Sequence, residues 1–184
     1  MDRTEALAIV DEFIQNPNLK RHMLAVEAAM QDYALRFSED AALWGLAGLL
    51  HDFDWEIHPT LEEHPQAGAD ILRERGVPEI IVRCILSHAD HTGVTRVSNM
   101  EKALYACDEL TGLIVAVALV RPSRSLSDLK VKSVRKKWND ARFAAAVNRR
   151  EIEAGAEALG VELWTHVGYV IESMQRISGE LGLA

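Results

Sequence analysis

A chain of 184 residues with 48% hydrophobic content is sized for one domain and can bury a sizeable core without disulfides or a structural metal. Its formal net charge of −8 argues against a nucleic-acid polymer as partner, because that affinity rests on many lysine and arginine contacts to phosphates. The longest apolar run, Leu113 to Val120, falls far short of the roughly 18 residues of a membrane span, and the N-terminus lacks the basic-then-apolar pattern of a signal, so a cytoplasmic protein with no membrane partner is expected.

Apolar residues recurring at three- and four-residue steps predict helices over Thr4–Ile14 and Leu19–Phe37. Ser38 is read as the N-cap of a third helix, Ala41–Leu50. Helices are also predicted over Pro65–Arg75, closed by Gly76, and over Pro78–Ala89, opened by its proline. A long one follows from Met100 to about Val120, then a basic one within Leu129–Trp138 and two more within Ala141–Leu159 and Glu162–Leu181. No stretch alternates with period two for long enough to predict a strand, and no repeat or flexible linker marks a boundary. The fold class expected is all-α, a single-domain helical bundle over residues 1–184.

Cys84 and Cys107 lie in apolar helical stretches with no CxxC partner and are read as core residues. The C-terminal stripe of Leu163, Val167, Val170, Ile171, Met174, Ile177 and Leu181 is also read as core in preference to a dimer contact, leaving monomer and homo-oligomer both open. Charge is uneven. Ten lysines and arginines between Arg121 and Arg150 face only Asp128 and Asp140, a local +8 that a small anionic ligand could use.

Six of the seven histidines fall in the first half of the chain. His51 and Asp52 close the run Leu46-Ala47-Gly48-Leu49-Leu50. Adjacent residues point about 100° apart on a helix, so both reach one ion only where the helix ends, and Phe53-Asp54-Trp55-Glu56-Ile57-His58-Pro59 has the composition of such an end. His22 lies 29 residues before His51, on the edge of a helix. Asp108 lies 56 residues after Asp52, amid apolar neighbours where a carboxylate is costly to bury unless paired or bound to metal. His64 precedes one predicted helix and His88 ends the next.

The ordered set His22, His51-Asp52, His64, His88 and Asp108 resembles the H…HD…H…H…D pattern of the HD superfamily of metal-dependent phosphohydrolases. The phrase HPQAGADILRERGVPEIIVRCILSH resembles the stretch that its two-metal members carry between HD and the final aspartate. The similarity covers roughly residues 19 to 120 and leaves the C-terminal third without a motif. It implies helices converging on a buried metal site, with His22, His51, Asp52 and Asp108 as ligands, His64 and His88 for a second ion, and Asp52 as the bridging carboxylate.

Imidazole and carboxylate donors suit divalent iron or manganese, which are favoured, and also cobalt, nickel or zinc. Four neutral imidazoles and two carboxylates around two such ions leave a local charge of about +2, which calls for an anion. Glu56 is a candidate catalytic acid beside Asp52, and Asp54 and His58 are read as loop residues. His91, Arg121, Arg124, Lys130 and Lys132 are candidate substrate contacts. Hydrolysis of a small phosphorylated metabolite or nucleotide is the leading expectation. Di-iron oxygenases resembling inositol oxygenase share the ligand pattern but carry a lysine soon after HD, and none stands here. A non-enzymatic ligand-sensing module would be expected to have lost a ligand, and none is lost.

Overall fold

The chain folds as nine α-helices without a strand, in a computed structural model that describes residues 1–184. Six of the nine helix starts are fixed by side chains that satisfy the first free backbone N–H groups. At α1 (Arg3–Phe13), Asp2 accepts from the backbone N–H of Glu5 at 2.9 Å, and Glu5 accepts from that of Asp2 at 2.8 Å. Asn16, followed by Pro17, opens α2 (Pro17–Phe37). Asp40 opens α3 (Ala41–Leu50), accepting from the N–H groups of Ala42 and Leu43 at 2.9 and 3.2 Å.

Ser38 therefore does not cap α3 as its sequence context suggested. It ends α2 in a left-handed conformation, φ 58°, with its N–H closing onto the last carbonyls of that helix. Gly76 does close α4 (Gln66–Glu74), at φ 74°, and α5 (Glu79–Ser87) follows Pro78. A short 3-10 turn at Asp90–Thr92 leads to α6 (Asn99–Leu119), which Ser98 and Glu101 cap reciprocally.

The last three helices are α7 (Val131–Trp138), α8 (Arg149–Ala158) and α9 (Leu163–Arg176). Within the stretch Ala141–Leu159 the helix begins only at Arg149. The preceding residues form turns, and the Arg149 guanidinium donates to the carbonyls of Phe143, Ala144 and Val147. These carbonyls need no helical partner.

Helix α3 is buried at every position from Trp44 to Leu50 and packs along α2. The approach is close because Gly48 has no side chain. A Cβ there would sit 2.9 Å from the backbone nitrogen of Glu27. Helix α6 is the second spine, in contact with α2, α5, α7, α8 and α9. At Gly155 of α8 a Cβ would lie 2.5 Å from the Ala106 Cα, so α8 rests directly on the α6 backbone.

One apolar core of 45 buried residues runs from Ala6 to Leu183 and draws on all nine helices. Cys84 and Cys107 lie in it as free thiols, and the C-terminal stripe is buried, with Leu163 and Ile177 at its margin. No helix is long and apolar enough to cross a membrane.

Candidate metal centre

The close packing of α2, α3 and α6 brings together side chains far apart in sequence. Helix α3 ends at Leu50, and His51 and Asp52 fall in the turns beyond it, which lets neighbouring residues face one point. His22 arrives from α2, Asp108 from α6, His64 from the turn before α4, and His88 from the C-terminal end of α5. His51 is fully buried, while the carboxylates of Asp52 and Asp108 keep an edge toward solvent.

Two donor groups result. His22, His51 and Asp108 form one, and Asp52, His64 and His88 the other. In the first, Asp108 Oδ1 is 3.0 Å from His22 Nε2 and 3.5 Å from His51 Nε2. Asp52 joins the two groups. Its Oδ2 is 3.4 Å from His51 Nε2 and 3.7 Å from His22 Nε2, and its Oδ1 is 3.4 Å from His64 Nε2 and 3.7 Å from His88 Nε2.

The other nitrogen of each ring fixes its tautomer. His51 Nδ1 donates to the Gly48 carbonyl at 2.8 Å, and His88 Nδ1 donates to the Ile85 carbonyl at 2.5 Å; a carbonyl can only accept. His64 Nδ1 donates to Asp54 Oδ1 at 2.8 Å. The Thr111 hydroxyl gives its hydrogen to the Asp108 carbonyl at 2.9 Å and so accepts from His22 Nδ1 at 3.1 Å.

With the rings neutral, as ligands to a cation must be, four Nε2 lone pairs point inward. In that state the Nε2 atoms of His22 and His51, 3.2 Å apart, and of His64 and His88, 3.3 Å apart, have no hydrogen to share. Lone pairs and carboxylates crowded in this way fit divalent cations, and outward Nδ1 bonds that orient each ring are the usual support of such ligands. The electrostatics agree. Burial opposes a charge on His51, but the carboxylates of Asp52 and Asp108 outweigh it and hold its pKa well above the usual value. Burial raises the pKa values of Asp52 and Asp108, but the facing histidines hold both below the usual carboxylate range. The site attracts positive charge.

Asp54 has a different place from the loop position expected of it. It is fully buried, and one oxygen anchors His64. A Cβ on Gly68 would come within 2.4 Å of its Oδ2, so this glycine at the start of α4 makes room for the carboxylate. The HD-x-D spacing was the available sequence signal. Trp55, next in the chain, sets its ring edge-on to His64 with centroids 4.9 Å apart.

The centre opens into a cavity of about 590 Å³, which Trp55, Leu61, His91, Glu109, Val147 and Glu151 help to line. His91 lies where a substrate contact was expected, its Nε2 donating to the His64 carbonyl at 2.8 Å. Glu56 does not. Its carboxylate points away from the cavity wall and accepts from the backbone N–H groups of Gln15 and Asn16 at 2.9 and 2.7 Å, bracing the turn between α1 and α2.

None of Arg121, Arg124, Lys130 and Lys132 lines the cavity either. Arg121 is paired with Asp128 at 2.7 Å, and Arg124, Lys130 and Lys132 are exposed. No lysine or arginine stands in the wall, where sequence reasoning placed cations; Glu109 and Glu151 stand there instead. Burial, then the charge of Asp108, lift the Glu109 pKa to about 7, and burial raises that of Glu151. Nothing in the sequence separates Glu151 from the other acids of its helix. It reaches the site only because α8 packs on α6.

The HD domain family matches residues 19–118, more than half of the chain, and the chain belongs to that family. The match places it in the superfamily of metal-dependent phosphohydrolases, whose domains bind divalent metals. No curated protein and no solved structure matches it.

Proposed function

We propose that the chain hydrolyses a phosphate ester or anhydride of a small molecule at a centre of two divalent ions. The observation that carries this reading is the Asp52 carboxylate, whose two oxygens face two separate histidine pairs. His22, His51 and Asp108 would hold one ion, His64 and His88 the other, with Asp52 between them. Iron or manganese suits these donors, and cobalt, nickel or zinc is also compatible with them. When bound, a pair of such ions activates water and stabilises the charge that grows on a phosphoryl oxygen.

The protein's own groups do the positioning. Asp54, Gly48, Ile85 and Thr111 each hold one Nδ1–H, so every Nε2 is turned toward the centre and is the atom left to ligate. Trp55 and Leu61 bring apolar surface to the cavity. An oxygenase of the inositol oxygenase kind calls for a lysine near the HD pair, and no lysine lines this cavity.

The test is metal content by mass spectrometry on protein purified without chelator. It is paired with anaerobic iron or manganese reconstitution and a phosphate-release screen over phosphorylated metabolites and nucleotides. Two ions per chain, one for each donor group, together with phosphate release, is the expected result. Two irons with oxygen consumption and no phosphate would favour the oxygenase, and no metal under any condition would sink both readings.

A further inference from the structure

The charge of the cavity narrows the substrate. Its wall carries Asp52, Asp90, Asp108, Glu109 and Glu151 and neither lysine nor arginine. Asp90 is matched by Arg96, 2.5 Å away. With Glu109 and Glu151 ionised, the remaining four carboxylates balance two divalent ions, and the loaded cavity then has no formal surplus of positive charge to offer a polyphosphate. This differs from the +2 that the ligand set alone implies, because Glu109 and Glu151 add to it.

These two acids are also organised. Asn148 spans them: its backbone N–H donates to Glu109 Oε2 at 3.1 Å, and its side-chain amide donates to Glu151 Oε1. The other oxygen of each has no hydrogen-bond partner in the protein. Nor do these carboxylates make a third chelating set, for the only groups of donors that converge are the two at the metal centre. Paired acids that do not chelate suit an organic cation with several N–H donors, such as an ammonium group. In the same cavity His64 and His88, 3% and 7% exposed, aim bare Nε2 atoms inward, so a ligand site adjoins this wall independently of its acids.

We propose that the cavity selects a zwitterion: a small phosphorylated amine, its phosphate at the metal centre and its ammonium group between Glu109 and Glu151. The inference rests on the two-ion reading of the site and adds the class of substrate to it. Nucleoside triphosphates, with several negative charges and no cation, are poor matches to the same wall.

The experiment is titration calorimetry of the manganese-loaded full chain with a matched pair, 2-aminoethyl phosphate and ethyl phosphate, with phosphate release followed separately. The amine should bind about 10-fold more tightly, the scale of a charge-assisted hydrogen bond. Glu151→Gln and Glu109→Gln should each bring the ratio toward one, with circular dichroism confirming that the variants fold.

Equal binding of the pair, tighter binding of ethyl phosphate, or no binding of either overturns the proposal. So does a ratio that both variants leave unchanged. Preference for the amine without phosphate release supports the inference while removing the hydrolase reading. Phosphate release from both esters without preference does the reverse.

Discussion

The two-thirds of the chain up to Leu119 and the third beyond it contribute to the same site by different means. The first part supplies all six candidate donor side chains, and each is of a type that chemistry constrains: imidazole or carboxylate, in a fixed order along the chain. The second part supplies none. Yet Ala146, Val147 and Glu151 complete the cavity wall, and α8 and α9 bear on α6 beside Asp108. Donors must be particular residues, whereas walls and braces need only shape and charge. The first part is therefore legible as a motif and the second is not.

The sharpest way to break this comparison is at the HD pair. His51→Ala and Asp52→Ala are expected to abolish metal binding, read by mass spectrometry, with helical content in the far ultraviolet largely intact. General unfolding of both variants would make the metal structural and erase the distinction between donors and braces.

His166 offers the next largest effect and lies in the other region. It is fully buried in α9, where its Nε2 donates to the Ala106 carbonyl at 2.9 Å and its Nδ1 accepts from the Tyr33 hydroxyl. Burial lowers its pKa to about 4, below the ordinary 6.5. As pH falls below 6.5 the unfolded chain takes up this proton first. The stability associated with His166 is therefore complete above about pH 6.5 and is lost between there and pH 4, by about 3 kcal/mol in all. Urea unfolding across that window should show the loss in the wild-type chain and a shallower one in His166→Gln. Parallel curves would contradict the assignment.

Gly155→Ala tests the brace itself. A methyl group placed against the Ala106 backbone must push α8 away, which is expected to cost about 1–3 kcal/mol in urea unfolding and to weaken metal binding through Asp108. Unchanged metal affinity would mean that α6 holds its position without α8. The smallest effect is expected at Glu56. Glu56→Gln should leave metal content and any phosphate release at wild-type levels and cost about 1 kcal/mol or less, because it only braces a turn. A large fall in turnover would restore the catalytic role that its position after Asp52 suggests.

Most helices were readable from apolar spacing and caps, and the six converging side chains from their order. What escaped has physical causes. Ser38 and Asp40 are both good caps, and the choice between them depends on the left-handed turn that ends α2. Asp54 looks like a loop acid until Gly68 is seen to leave space for it. Arg149 ends the helical pattern before it by taking carbonyls that a longer helix would have used. Lys130 and Arg121 form part of a basic stretch, but the fold keeps the basic side chains of that stretch out of the cavity wall while bringing Glu151 to it.

Trp55 is the one tryptophan that lines the cavity, and its ring meets His64, on one side of the centre only. A quenching ion such as iron or cobalt, if held at His64, would lie close to that indole, whereas closed-shell zinc would not quench in the same way. Trp55 is one of four tryptophans, and the part of the ultraviolet emission that it contributes is an optical gauge of the His64 side of the centre, available without a label and without turnover.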